Sequence, residues 1–434
     1  MLPRALLLVL LLTTASSWAE DFQGSTHKLE YDEMPVGYSK ATPNGHIARL
    51  QAQINSGEVR LQWDSEQGYL PALLRALKIP SSSQLLVFSK TSLQRTLISP
   101  KTPRALYYND DIYVGYIPGS DLLEISEADP KLGGVFYQLE QVAAFKPKLV
   151  RNSECIQCHG GNRSLGVPGH VIRSIGTSPD GEIDIQTEAA EITHCSPLSE
   201  RWAGWYVTGE HGWQTHRGNL VGIEALERQA REPNFRGNLK DLSAHVDLKD
   251  YPERTSDIVS HLVLEHQSHM HNYVTRLNFE AQQMLATYGH LRYLDRQVQS
   301  FLRYLLFVEE APLAEPVRGR ADFLTAFAAD ARRDPKGRSL RDFDLQRRLF
   351  KYPCSYLIYS AGFDQLPPLI KERIYRELGE ILDGKNPQPE FARLTPEDRR
   401  AVKEILIATK NDLPDSWKTG APAGSVAAAS TASK

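Results

Sequence analysis

The chain has 434 residues, 41% hydrophobic and 24% charged, with 50 Lys and Arg against 53 Asp and Glu for a net charge of -3. This balance excludes a disordered or collagen-like chain, and the near-neutral charge gives no general pull toward nucleic acid. Four cysteines over this length exclude a disulfide scaffold.

Residues 1–19 read as an export signal. Met1–Arg4 is a basic start, Ala5–Ala15 is a leucine-rich apolar run, and Ser17-Trp18-Ala19 sets small residues at a cleavage position before Glu20. The apolar run is well short of the ~20 residues that cross a bilayer as a helix, an uncleaved anchor being the alternative. No later segment is long and uncharged enough to span. The expected location is periplasmic or secreted, with no stable membrane insertion after signal cleavage.

Residues 20–44 lack periodicity and read as an extended lead-in. His46–Ile54 carries apolar residues at helical spacing with Gly57 as a stop, and Leu70, Leu73, Leu74 and Leu77 predict a second short helix over Tyr69–Leu77. Leu85–Phe88, Ala105–Tyr108, Ile112–Ile117 and Val135–Tyr137 are β-branched and aromatic runs split by Pro, Gly, Asn and Asp, which predict strands. Residues 170–176, 181–186 and 203–208 continue that pattern. From Ser256 the period becomes 3.6, predicting helices over Ser256–Tyr288, Leu291–Val308, Gly319–Ala331, Pro368–Leu382 and Thr395–Thr409, the last with a Thr-Pro-Glu-Asp start.

Cys155-Ile156-Gln157-Cys158-His159 matches C-x-x-C-H, the attachment sequence of c-type haem. Two thiols at this spacing add across the two vinyl groups of one porphyrin, and the adjacent histidine is held beneath the ring as an iron ligand. A zinc half-site would want a second Cys/His pair at ligand spacing, which Cys195 and Cys354 do not supply. A redox dithiol does not require the histidine. One motif implies one covalently bound haem c, with Cys155, Cys158 and His159 binding it. Cys195 and Cys354 are either one disulfide or two buried thiols.

The motif resembles that of cytochromes c. Asn109–Gly115, Trp202–Gly212 and Phe350–Tyr356 resemble segments of a family of large exported bacterial proteins described as cytochrome c domain-containing, over most of the mature chain. The resemblance implies the haem residues and no particular substrate. Small cytochromes c are compact helical domains, whereas here the motif follows a β-rich segment. The expected fold class is α+β, a β-rich N-terminal half carrying the haem motif and a mainly helical C-terminal half. The expected divisions are 1–19 signal peptide, 20–138 N-terminal α+β region, 139–250 haem-binding region, 251–412 helical domain and 413–434 disordered tail.

The second axial ligand of an electron carrier is usually Met or His. No methionine lies between residues 160 and 269, whereas His170, His194, His211 and His216 do. His211 and His216 flank Trp213 and follow Trp202, Trp205 and Tyr206, which suit either a porphyrin cover or plain core. Further on, His261, Glu265, His269, Asn272 and Arg276 share one helical arc, with His266, Met270 and Tyr273 beside it. Such a stripe either binds a metal, lines the open side of a haem, or is a hydrogen-bonded helix face. His211, His216, His269 and Met270 are the candidate distal ligands.

The expected function is an exported mono-haem c-type cytochrome in electron transfer, with a redox partner protein and no nucleic acid. The alternatives are a peroxidase- or oxidase-like haem enzyme, with Arg217 or Arg276 stabilising charge on an open side, or a haem-based sensor.

Overall fold

A computed structural model describes residues 29–187, 189–232, 237 and 239–417. The signal peptide expected over 1–19 lies outside the described residues.

The first helix, α1 (His46–Ser56), buries Ile47, Leu50 and Ile54 on one face and ends at Gly57 in the left-handed region, φ 86°. It has no capping side chain of its own. The distant Glu127 carboxylate accepts instead from the N–H of His46 and, at 3.2 Å, of Ile47, placing negative charge at the positive end of the helix. The second helix, α2 (Leu70–Ala76), buries Leu70, Leu73 and Leu74 as their spacing predicts.

Strands β1 (Leu85–Val87), β2 (Arg104–Tyr108), β3 (Ile112–Tyr116), β4 (Leu122–Asp129), β5 (Gly133–Glu140) and β6 (Leu149–Arg151) follow in an antiparallel meander. After the short helix α3 (Ile156–His159) come β7 (Arg173–Ser174), β8 (Ala190–Glu191), β9 (Trp205–Tyr206) and α4 (Ile223–Arg231). The seven-stranded sheet has the order β6-β5-β4-β3-β2-β1-β9, while β7 and β8 pair separately. Of the later strand expectations, 181–186 contributes only an isolated bridge between Thr177 and Ile183.

Alternation splits the sheet into two apolar faces. Leu86, Ala105, Tyr107, Ile112, Val114, Leu123, Ile125, Val135 and Tyr137 pack with the leucines and isoleucines of α1 and α2. Leu85, Val87, Tyr108 and Tyr113 face the other way and join the core of the helical half. The chain is therefore α+β, with the sheet between two sets of helices. The division expected at residues 138 and 139 falls inside β5, and β6 and β9 join the same sheet, so the motif region is continuous with the N-terminal one.

The helical half is organised by α5 (Ile258–Tyr288), 31 residues long, about 46 Å at 1.5 Å per residue. Asp257 caps it, one carboxylate oxygen accepting from Val259 and Ser260 N–H, each at 3.0 Å. Every residue from Ile258 to Ser268 is buried, polar ones included. Around it lie α6 (Asp295–Leu305), α7 (Ala321–Ala328), α8 (Ala361–Asp364), α9 (Pro368–Leu382) and α10 (Pro396–Thr409). Thr395 caps α10 through its hydroxyl, which accepts from Asp398 N–H at 3.0 Å. Residues 413–417, expected in the tail, instead pack on the bundle: Leu413 and Trp417 are buried, and the Trp417 indole N–H donates to the Tyr375 carbonyl at 3.2 Å. Among the described residues no helix is long and apolar enough to cross a membrane.

Leu277 is fully buried in this core. Leu277→Ala removes its methyl groups and leaves a cavity, so urea unfolding should show a loss of ~2–5 kcal/mol.

Candidate functional site

Past β6 the Asn152 side chain accepts from Glu154 N–H at 2.9 Å, turning the chain into α3. His159 N–H donates to the Cys155 carbonyl at 2.9 Å and Cys158 N–H to the same oxygen at 3.2 Å, so both sulfurs and the imidazole leave one helical turn. Cys155 is half-buried and Cys158 exposed, and both are free thiols. Burial, and next the Glu124 charge, push the Cys155 thiol up to about 11. The turn closes on Gly160, where a Cβ would stand 2.4 Å from the Tyr31 hydroxyl, so only glycine admits the lead-in segment here.

His159 Nδ1 donates to the Gly169 carbonyl at 3.1 Å, and the ring centroid lies 4.9 Å from that of Phe136. Burial lowers its pKa, so the ring is neutral at pH 7. With the proton fixed on Nδ1, Nε2 carries the lone pair, the state an iron-ligating histidine needs. Beside it, Leu106, Gly115, Glu124, Gln138 and Val150 form one register row across β2 to β6. Arg104 reaches over Gly115, where a Cβ would meet its guanidinium at 2.6 Å, to pair with Glu124 at 2.7 Å. Both charges are within electrostatic reach of Cys155 and His159. This shelf adjoins α3 and has exposed Val150 at its edge. The residues present thus fit a covalent haem: two free thiols, a correctly tautomerised imidazole and an adjoining shelf.

The four distal candidates fall into two groups, His211 with His216 and His269 with Met270 on α5. His216 packs on Trp202 at 5.1 Å and on His211 at 4.6 Å between ring centroids, within a core that also buries Trp205 and Tyr206. His269 lies 5.0 Å from both Tyr273 and Tyr304, and Met270 is fully buried apolar core. Trp213 is exposed. The histidine that shares Phe136 with His159 is His170, 6.0 Å from that ring and 4.3 Å from Tyr113. Its Nε2 is 3.1 Å from the Ser126 hydroxyl and its Nδ1 has no partner.

The stripe on α5 is a hydrogen-bonded interior. His261 Nε2 donates to the Tyr206 carbonyl at 3.0 Å, and Glu265 accepts from the Trp202 indole and, at 2.7 Å, from Arg201. Burial pushes Glu265 up to about 7, while Arg201 opposes the rise. His194 and His266 meet Nδ1 to Nδ1 at 2.8 Å, one donating and one accepting. Arg276 is engaged by Glu280 at 2.5 Å and the Leu165 carbonyl at 2.9 Å. Among the described residues no group of three His, Cys, Asp or Glu is disposed to hold a metal ion. Cys195 and Cys354 are unpaired thiols, the first partly and the second fully buried.

Compared with known proteins, no family model matches this chain, nor does any curated protein or solved structure.

Burial holds His261 neutral, its pKa lowered from 6.5 to about 3. The unfolded chain binds the proton more tightly, so stability is complete above pH 6.5 and falls as pH drops toward 3. Urea titrations between pH 6 and 4.5 should show a slope shallower by ~1 kcal/mol per pH unit in His261→Gln, whose amide can still donate to Tyr206.

Proposed function

We propose that this chain is an exported mono-haem c-type cytochrome that transfers electrons, with haem c attached to Cys155 and Cys158 and its iron ligated by His159. One observation carries the reading: two free thiols and an imidazole with its proton fixed on Nδ1 leave a single turn of helix. Bound there, the iron supplies one-electron exchange between Fe(III) and Fe(II).

The chain's own groups prepare that exchange. The Gly169 carbonyl orients the His159 ring and raises the donor strength of Nε2. Phe136 excludes water from one face of the imidazole, and the Arg104–Glu124 pair adds no net charge beside it. Exposure of Gln157 and Cys158 puts this attachment edge at the surface, where a redox partner protein reaches it without entering the fold. The basic, apolar and small-residue order of residues 1–19 supports export to the periplasm or beyond, where covalent haem attachment takes place.

Expression with a haem-maturation apparatus should give a chain one haem heavier, whose colour survives acid–acetone extraction. Cys155→Ala with Cys158→Ala should give a colourless chain of unmodified mass. His159→Ala should keep the mass increase and change the Soret and Q bands. An unmodified wild-type chain under these conditions overturns the proposal.

A further inference from the structure

The acceptor that orients His159 is itself held from the far half of the chain. Gly169 exchanges two bonds with His159, its N–H donating to the His159 carbonyl at 2.8 Å and its own carbonyl accepting from Nδ1 at 3.1 Å. On one side, β5 fixes this segment: Gly134 N–H donates to the Pro168 carbonyl at 2.8 Å, and a Cβ at Gly134 would stand 2.9 Å from Gly169 N. On the other side lies Asn272 of α5. Its Oδ1 accepts from His170 N–H at 2.8 Å and its Nδ2 donates to the His170 carbonyl at 2.6 Å. A Cβ at Gly169 would meet that Oδ1 at 2.2 Å, so the amide passes directly over the glycine. Asn272 is fully buried, which leaves its amide little freedom to move.

We propose that Asn272 is a positioning residue for His159. By gripping both backbone groups of His170 it sets where the Gly169 carbonyl stands, and hence the strength of the Nδ1–H bond and the donor strength of Nε2. The consequence for iron rests on the haem reading; the consequence for the imidazole does not.

The test compares Asn272→Leu, which removes donor and acceptor, with Asn272→Asp, which keeps the acceptor for His170 N–H. Gln267→Leu is the control: it is equally buried on α5 and hydrogen-bonded to the Asn109 carbonyl at 2.7 Å and to Tyr113 at 2.9 Å. In haem-loaded protein, weaker Nε2 donation favours Fe(II). Asn272→Leu should therefore shift the couple about tenfold toward the reduced form, about 59 mV upward for one electron. Asn272→Asp should fall between it and wild type, and Gln267→Leu should lower thermal stability with the potential unmoved. In apo-protein, nitrogen NMR of His159 should show the Nδ1–H tautomer less populated in Asn272→Leu than in wild type. Unchanged potential and unchanged tautomer in a folded Asn272 variant overturn the proposal, as does an equal shift in Gln267→Leu. If Asn272→Leu does not fold, Asn272→Asp decides by the same two readouts. A chain that takes up no haem sinks the haem reading alone, and the apo NMR still decides the role of Asn272.

Discussion

A buried helix that carries polar side chains on most of its circumference must find partners for them, and this requirement organises the molecule. Withdrawing an amide, imidazole or carboxylate from water is costly unless its hydrogen bonds are replaced. α5 replaces them with the chain that surrounds it. Ser260 and Gln267 engage the β2–β3 hairpin through Tyr108 and Asn109, His271 donates to Asp110, Asn272 grips His170, and Glu265 takes Arg201 and Trp202. Segments without strands or α-helices of their own, such as residues 160–172 and 193–204, thereby acquire defined positions. A buried ion pair such as Arg201–Glu265 adds little net stability, since desolvation offsets the attraction, yet removing one partner is strongly destabilising. Its contribution is to fix one arrangement of the loop against the helix.

The same dry interior decides charge states. His170, His194, His216, His261 and His266 are all pushed toward neutrality, with burial the leading cause in each. Neighbouring imidazoles add to this: His266 lowers His194 further, and His271 and His269 lower His266. His159 follows the same rule, and at the ligand position proposed for it neutrality would have a chemical use, because only the unprotonated nitrogen can donate to a metal. The environment that makes the other histidines structural makes this one ligand-competent. The Gly169 carbonyl is what selects the nitrogen.

Much of this was legible before any coordinates. The five-residue motif is local, and the helices around α5 follow from apolar residues at a 3.6 period. β4 was not anticipated, although it alternates buried and half-buried residues along its whole length. Its sequence mixes Glu124, Ser126, Glu127 and Asp129 into both faces, which resembles a loop when read alone. In the structure those groups serve distant partners: Glu127 caps α1, Asp129 accepts from Asn44 N–H, and Glu124 pairs with Arg104. The polar stripe of α5 was visible as a helical arc, but most of its partners were not, because Tyr206, Arg201, Trp202, His170 and Leu165 lie far away in sequence. The packing of residues 413–417 was missed for a related reason. Trp417 follows a run without helical periodicity, and its burial depends on α9 being beside it.

The four cysteines, which spacing already separates into a motif pair and two others, span the range of exposure: Cys158 is exposed, Cys155 and Cys195 are half-buried and Cys354 is buried. Burial raises the Cys195 thiol to about 12 and the Cys354 thiol further still, so neither presents a thiolate at neutral pH. Cys354 is wholly enclosed. Cys158, in contrast, is exposed, and the half-buried Cys155 sits one turn away at the start of the same short helix. On the haem reading proposed above, a maturation partner would need access to two sulfurs on one side of a turn, and the motif pair offers that arrangement. On that reading attachment would be specified by a short peptide, whereas the proposed role of Asn272 would place control of the His159 direction in the buried helix of the other half. Separating these two requirements would let the tether stay accessible while the ligand geometry is set in the core.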